Sequence, residues 1–381
     1  MRVLVWQWGR HGAGPRVATE LAAGFSRLEG VTALLSLAEG AEILAGPAPP
    51  RCDLRIRTYG SVRGFVGRLA ATPATLPRLV SELRAMAPDL ALCAMPGPLD
   101  LLMGVALRRV GVPYAVVVHD ADSHPGDGYP LQMTLQRRLL AHADDLVALS
   151  GHVADRLREQ GAGRRAPIRA TLPPFVFGPP APPPRRHGGP LRLLSFGRLL
   201  PYKGLDLLAA SLARLGPRDD LEVRVVGQGP ESADLARLRG LPGVSVENRW
   251  VPEDGIGALL AWSDALVLSH REASQSGVAA AAIAARRWVV ATRVGGIVEQ
   301  LQHEDLALLC DPDPASIADA ILALLHRATP EAGPGHDPYA VWNDTAAALL
   351  AQLGARLRPE RQEASMGSAQ TRKGSEDPLI P

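Results

Sequence analysis

The chain has 381 residues, 46% of them hydrophobic, a formal net charge of +2 and 4% aromatics. That length suffices for two domains with sizeable cores. The near-neutral charge and the scarcity of aromatic rings argue against a surface that neutralises phosphates and stacks bases. Three widely separated cysteines, Cys52, Cys93 and Cys310, fit reduced thiols better than a disulfide framework or a thiolate metal site. The opening "MRVLVWQWGR" carries too short an apolar run for a signal peptide, and no run is long enough to span a bilayer. The expectation is a cytoplasmic protein, with peripheral attachment at the inner face of a membrane left open.

In chain order, "RVLVW" reads as a strand and "GPRVATELAAGFSRL" as a helix with Pro15 near its start. "VTALLSL" reads as a strand, "ATLPRLVSELRAMAP" as a helix, "DLALCAM" as a strand, and "LDLLMGVALRRVG" as a helix ending at Gly111. "PYAVVVHD" and "DDLVALS" are strands, and "GHVADRLREQG" is a helix. Such alternation predicts a doubly wound, mostly parallel sheet. Residues 172–190, "LPPFVFGPPAPPPRRHGGP", hold too many prolines for an element interior and read as a linker.

The alternation then restarts with strands "LRLLSF", "LEVRVVG", "GVSVEN", "DALVLS" and "WVVAT". Helices "GLDLLAASLARL", "PESADLARLRG", "PEDGIGALLAWS", "GVAAAAIAARR" and "ASIADAILALLHRA" are interleaved with them. The expected organisation is an N-terminal Rossmann-like domain over 1–175, a linker over 176–190 and a second Rossmann-like domain over 191–338. A C-terminal helix over 339–357 and a polar, disordered tail over 358–381 complete it. Two such domains create a cleft, and ligands of open α/β sheets sit beyond the carboxyl ends of the strands.

Several loops at those ends carry polar groups. The chain's 41 Lys+Arg include only two lysines, Lys203 and Lys373. Lys203 sits with Gly197 and Arg198 in "SFGRLLPYKGLDLL", between a buried strand and an amphipathic helix. A loop at a helix N-terminus offers free backbone N–H groups and a positive dipole end, and a guanidinium and an ammonium beside it suit a phosphate. The first strand runs into "WGRHGAGPR", where Gly12 and Gly14 would let a ligand approach the backbone or simply form a tight turn; the spacing is not the dinucleotide fingerprint. "HDADSHPGD" places His119 and Asp120 at a strand end as polariser or general acid/base, with His124 and Asp127 as turn formers. These residues lie in one loop without a helical His pair, so no metal is expected. In "HREASQSGVAAAA", Glu272 precedes Ser274, Gln275, Ser276 and Gly277, small polar residues at a helix start that form an anion site or a simple cap. "VGGIVE" adds Glu299 after the next strand.

Taken in order, "FGRLLPYKGLDLL", "VVGQGPE", "WVPEDGIGALLAWSDALVLSHRE" and "VVATRVGGIVE" resemble the C-terminal half of the GT-B glycosyltransferases, in particular the family-4 group of retaining, nucleotide-sugar-dependent enzymes. The Gly-rich loop, "VVVHD" and "ADDLVALSGHVADRL" look similar in the first half. The resemblance implies a two-domain α/β GT-B fold and transfer of a sugar from a UDP- or GDP-linked donor to a saccharide or glycolipid acceptor with retention. It implies no further cofactor. It puts the donor diphosphate on Arg198 and Lys203, with Gly197, Ser274, Gln275, Ser276, Gly277 and Glu299 around the donor. His119 and Glu272 would be the catalytic residues beside the sugar, and Gly12, Gly14 and Asp120 would lie on the acceptor side. One departure stands out. The group's E-x7-E motif has its first glutamate represented by Glu272, but the second would fall at Ala280 or Ala281; "EASQSGV" looks like a subset of the family with "SQSG" here. Two rival readings remain: a sugar-nucleotide epimerase of the same architecture, and a non-catalytic GT-B relative that binds a sugar nucleotide or partner.

Overall fold

The structure, a computed structural model, describes residues 1–122, 131–177, 180–182, 184, 187–327 and 337–373, the last stretch in backbone alone beyond residue 356. His124 and Asp127, parts of the proline-rich segment and residues 374–381 lie outside the described residues.

The first unit contains β1 (Arg2–Gln7), α1 (Ala13–Ser26), β2 (Thr32–Ala38), β3 (Leu54–Ile56), α2 (Val62–Ala70), α3 (Thr72–Met86), β4 (Leu90–Cys93) and α4 (Asp100–Val110). It continues with β5 (Tyr114–Val118), α5 (Gln132–His142), β6 (Asp145–Ala148), α6 (Gly151–Glu159) and β7 (Ile168–Arg169). Its strands form one seven-stranded sheet in the order β3-β2-β1-β4-β5-β6-β7. The second unit contains β8 (Leu191–Phe196), α7 (Leu205–Leu215), β9 (Leu221–Gly227), α8 (Ala233–Arg239), β10 (Val244–Asn248), α9 (Glu253–Trp262) and β11 (Ala265–Leu268). α10 (Gly277–Ala284), β12 (Trp288–Thr292), α11 (Gly295–Leu301), β13 (Ala307–Cys310) and α12 (Pro314–Leu325) follow. Its six-stranded sheet runs β10-β9-β8-β11-β12-β13. Strand pairs such as β1 with β2 and with β4, and β8 with β9, are parallel. The central strands bury both faces: β4, β5, β6 and β11 are buried throughout. This is why they read as continuous apolar runs and not as alternating ones.

The expected doubly wound sheets are both present. The pattern did not foretell β3, β7 and β13, which are two to four residues long and lie at sheet edges. It also did not foretell α2, α5 and α11.

The proline-rich segment is more than a spacer, because Leu172, Phe175 and Phe177 at its start are buried. The buried Arg287 donates to the carbonyls of Leu260, Ala285 and Pro182 at 2.8–2.9 Å, pinning the segment to the second unit. Burial pushes this guanidinium below its usual value.

The last helix, α13, spans Pro338–Lys373 and so runs on past residue 357. α13 also crosses back onto the first unit. Trp342 is fully buried and its Nε1 donates to Pro174 O at 2.9 Å. Gly24 of α1 gives it room, since a Cβ there would lie 2.8 Å from Trp342 O. Arg356 donates to the buried Asp145 carboxylate at 2.6 Å.

Candidate active site

Loops after β1, β4 and β5 face loops after β8, β9 and β11 across a cavity of about 480 Å³. The two units touch around it. Arg16 of α1 pairs with Glu253 of α9, and Glu42 accepts from the Glu253 amide at 2.7 Å. His11 and Trp250 meet edge to face at 5.3 Å between ring centres.

The second unit's wall is cationic and braced. Pro201–Lys203 form a single 3-10 turn between β8 and α7. It closes on Gly204, whose φ of 65° is left-handed and whose missing Cβ would collide with Ser269 O at 1.9 Å. A side chain is excluded there on both counts. The turn presents Lys203 to the cavity, where its Nζ lies 2.7 Å from Nε2 of the buried His270. An ammonium only donates, so Nε2 is the acceptor and the imidazole proton sits on Nδ1. Arg198 Nη2 donates to the Tyr202 hydroxyl at 3.0 Å. Both cations lie over the Tyr202 ring, at 5.8 and 5.2 Å from its centre. One buried aromatic ring thus holds two like charges on one side of a cavity. The next residue along from His270, Arg271, is drawn instead to Asp206 of α7, whose carboxyl is held below its usual value by that hydrogen bond.

The helix start beside these cations is half committed. Ser276 caps α10, its Oγ accepting from the Ala279 amide at 3.2 Å. Its own amide is held by Gln300 Oε1 at 2.9 Å. The first amides of the helix, those of Gly277 and Val278, have no intrahelical acceptor, and both residues line the cavity. Gln275 lines it too, and its buried Oε1 has no hydrogen-bond partner among the described residues.

The first unit's wall is less charged. The buried Gln7 fills the space beside Gly9 and Gly14: a Cβ on Gly14 would lie 2.6 Å from Gln7 Nε2. Gly14 therefore serves packing against Gln7. Gly12 differs, with φ 80° and nothing within 4 Å of its would-be Cβ. His119 sits just past β5 with its Nε2 3.3 Å from Asp120 Oδ2, and its buried Nδ1 has no partner among the described residues. Met95 and Pro96 complete this wall. Their loop is fastened by the fully buried Asp100, which accepts from the Gly97 amide at 2.6 Å. Burial raises the Asp100 carboxyl to about 7.

Gly12, Gly14, His119, Asp120, Gly197, Arg198, Lys203, Gln275, Ser276 and Gly277 thus all line one cavity. Three other expected residues do not. Glu272 is exposed and opens, with His152 and Arg156, onto a neighbouring hollow of about 460 Å³. Ser274 is buried at the contact between units, its carbonyl accepting from Ser150 Oγ at 3.0 Å. Glu299 reaches across to the first unit and accepts from the amides of Gly151 and His152 at 2.6 and 2.9 Å, at the start of α6. Ala280 and Ala281 are buried inside α10 and do not line the cavity. Tyr202, His270, Gln7 and Trp250 were not foreseen. The signal available for Tyr202 was its adjacency to Lys203, and for His270 its place two residues past the end of β11. Among the described residues no group of three or more His, Cys, Asp or Glu is placed to hold a metal ion.

Comparison with known proteins matches both halves. Residues 12–174 fit the family model described as "Glycosyl transferase 4-like domain" and residues 190–327 the one described as "Glycosyl transferases group 1". A "2-deoxystreptamine glucosyltransferase" of Streptomyces kanamyceticus is 28% identical over 308 residues, 72% of this chain and 78% of that protein. Among solved structures, Anabaena HepE in complex with UDP and glucose superposes with a TM-score of 0.62 at 18% identity, over 97% of this chain and 100% of that one. The UDP-GlcNAc 2-epimerase of Neisseria meningitidis, bound to UDP-GlcNAc, superposes with a TM-score of 0.57 at 10% identity, over 93% and 99%. Both solved structures speak to the fold alone; the family models distinguish the chemistry. The chain is a glycosyltransferase of GT-B architecture, a 4-like domain followed by a group 1 domain.

Proposed function

We propose that the protein transfers a glycosyl group from a UDP- or GDP-linked sugar to a saccharide or glycolipid acceptor with retention of configuration. The observation that carries this is the convergence, in one cavity, of Arg198, Lys203 and the open amides of Gly277 and Val278. In glycosyl transfer from a nucleotide sugar, negative charge grows on the leaving diphosphate, and donors fixed in advance at that place lower the barrier most. Two cations and a helix start supply it without a metal. The half-exposed Trp250, with Val251 and Ile256, lines the same cavity and offers an apolar surface for the nucleoside. His119 and Asp120 face the donor from the other unit and border the sugar and the acceptor hydroxyl. Glu272, outside the cavity, takes no catalytic role in this reading. No glutamate of α10 grips the ribose, and Gln275 is the polar side chain nearest to that task.

UDP is the first nucleotide to test, given the UDP-bound Anabaena neighbour. The experiment is a thermal-shift series with UDP, GDP, ADP and their sugars, on the wild type and on Lys203→Ala, followed by donor turnover with and without saccharide acceptors. The expected result is stabilisation by one nucleotide class, lost in Lys203→Ala, and nucleoside diphosphate release that requires an acceptor. Anomeric analysis of the product by NMR tests retention. Conversion of the donor without an acceptor would favour an epimerase, and binding with no turnover under any pairing a non-catalytic relative. Lack of any nucleotide-induced shift would overturn the donor site.

A further inference from the structure

The turn that carries Lys203 rests on three consecutive residues just past the end of β11. Ser269 Oγ donates to Lys203 O at 3.0 Å. Lys203 Nζ donates to His270 Nε2 at 2.7 Å. The Arg271 amide donates to Tyr202 O at 2.9 Å. Gly204 packs so closely that a Cβ on it would collide with Ser269 O. The turn therefore has little freedom of its own: where residues 269–271 go, the ammonium follows. Yet these three residues have left the sheet. The pairing of β11 with β12 ends at Leu268 and Ala291, one residue short of Ser269.

Thr292, the last residue of β12, extends the hold of that strand beyond the ladder. It is fully buried, and its hydroxyl lies 2.6 Å from His270 O and 3.3 Å from Leu268 O. A hydroxyl has one proton to donate, and the shorter contact takes it. A valine would fill the same space with no polar group to desolvate, so the carbonyls it holds account for the hydroxyl. Neither Thr292 nor Ser269 lines the cavity. We propose that Thr292 and Ser269 are positioning residues for the diphosphate site. Thr292 fixes the His270 backbone from the neighbouring strand, and Ser269 passes that position to the Lys203 turn. This inference rests on the reading that Lys203 meets the donor diphosphate. Removing either hydroxyl leaves every charge of the cavity wall in place, so what changes is the aim of the ammonium, on which its hydrogen bonds depend steeply.

The test is calorimetric titration of UDP, GDP and ADP into the full chain as wild type, Thr292→Val, Thr292→Ser and Ser269→Ala. Leu238→Ala, in the buried face of α8, serves as a variant destabilised away from the turn. For the nucleotide that binds the wild type, Thr292→Val should weaken binding about tenfold and Ser269→Ala about threefold, the range of one buried hydrogen bond. Thr292→Ser keeps the hydroxyl and should stay within about twofold of the wild type. Leu238→Ala should lower Tm and leave the affinity unchanged. Should Thr292→Val not fold, Ser269→Ala decides alone. Wild-type affinity in Thr292→Val and Ser269→Ala overturns the proposal. So does Thr292→Ser as weak as Thr292→Val, or a loss in Leu238→Ala equal to that in Thr292→Val, which would show that lowered stability by itself weakens the site. A wild type that binds none of the nucleotides overturns the donor reading instead, and this inference with it.

Discussion

The two walls of the cavity follow one local plan, a parallel strand running into a helix through a glycine-bearing loop, yet they are stiffened differently. On the second unit's side, polar groups at the cavity surface brace one another: Lys203 on His270, Arg198 on Tyr202, Ser276 on Gln300. On the first unit's side the surface carries the His119–Asp120 pair, and the loops are braced from beneath, by Gln7 under the glycine loop and Asp100 under the 95–97 loop. In the proposed reading, the second unit's wall presents fixed charge to a diphosphate and so needs its side chains held in place at the surface, while the first unit's wall meets the acceptor through loops anchored from below.

The largest expected effect tests the buried anchor. The folded-state value of Asp100, about 7, lies above the ordinary 3.8. The folded chain therefore holds this proton where the unfolded chain has lost it. The contribution of Asp100 to stability is fully present below about pH 4 and falls as pH rises to about 7. Asp100→Asn keeps an acceptor for the Gly97 amide and removes the fall, making the variant more stable at pH 8 by about 4 kcal/mol at most. Urea midpoints of variant and wild type that run parallel from pH 4 to 8 would remove this account of the anchor.

Next comes the glycine loop. Gly12 has φ 80° and ψ −162°, a region essentially reserved for glycine, so Gly12→Ala should cost about 2 kcal/mol of strain although nothing blocks its Cβ. Gly14→Ala should perturb the loop by the other route, through collision with Gln7. A Gln7→Ala background should relieve Gly14→Ala and leave Gly12→Ala unchanged; equal rescue of both would show that the two glycines serve one purpose.

The surface bracing is tested by His270→Leu, which removes the hydrogen bond between Lys203 and His270. A roughly tenfold loss in kcat/KM is expected, with Tm changed less than by Asp100→Asn, and His270→Gln should recover part of it. Turnover unchanged in His270→Leu would mean that Lys203 is positioned by other contacts. The smallest effect is assigned to Glu299→Gln, which replaces charge-assisted bonds to α6 with neutral ones at about 1 kcal/mol. Donor affinity should be unaffected. A selective loss of donor binding would return Glu299 to the donor site.

Much of this was legible. Buried parallel strands are written as apolar runs because both faces are covered, which is why β1, β5, β8 and β11 can be read directly. Lys203 could be singled out because a nearly lysine-free chain places one beside Arg198 at a helix start. Glu272 and Glu299 could not be placed. Whether a carboxylate after a strand faces the cavity or the neighbouring unit depends on how a loop of a few residues turns, and on which backbone amides come within reach.

Local periodicity, proline and glycine punctuation and the rarity of lysine, all written within a few residues of one another, determined the two sheets, most of the helices and the cationic loop. Tertiary structure alone decided that Glu299 caps a helix 148 residues away and that Lys203 rests on a histidine 67 residues downstream. It also decided that the last helix closes back over the first unit, with Trp342 against Pro174 O. These contacts join residues whose sequence neighbours carry no trace of each other. The Glu299 contact exists because the two units pack together, the Lys203 contact because the loops after β8 and β11 meet within the second unit, and in each case buried polar groups must find partners wherever the packed chain supplies them.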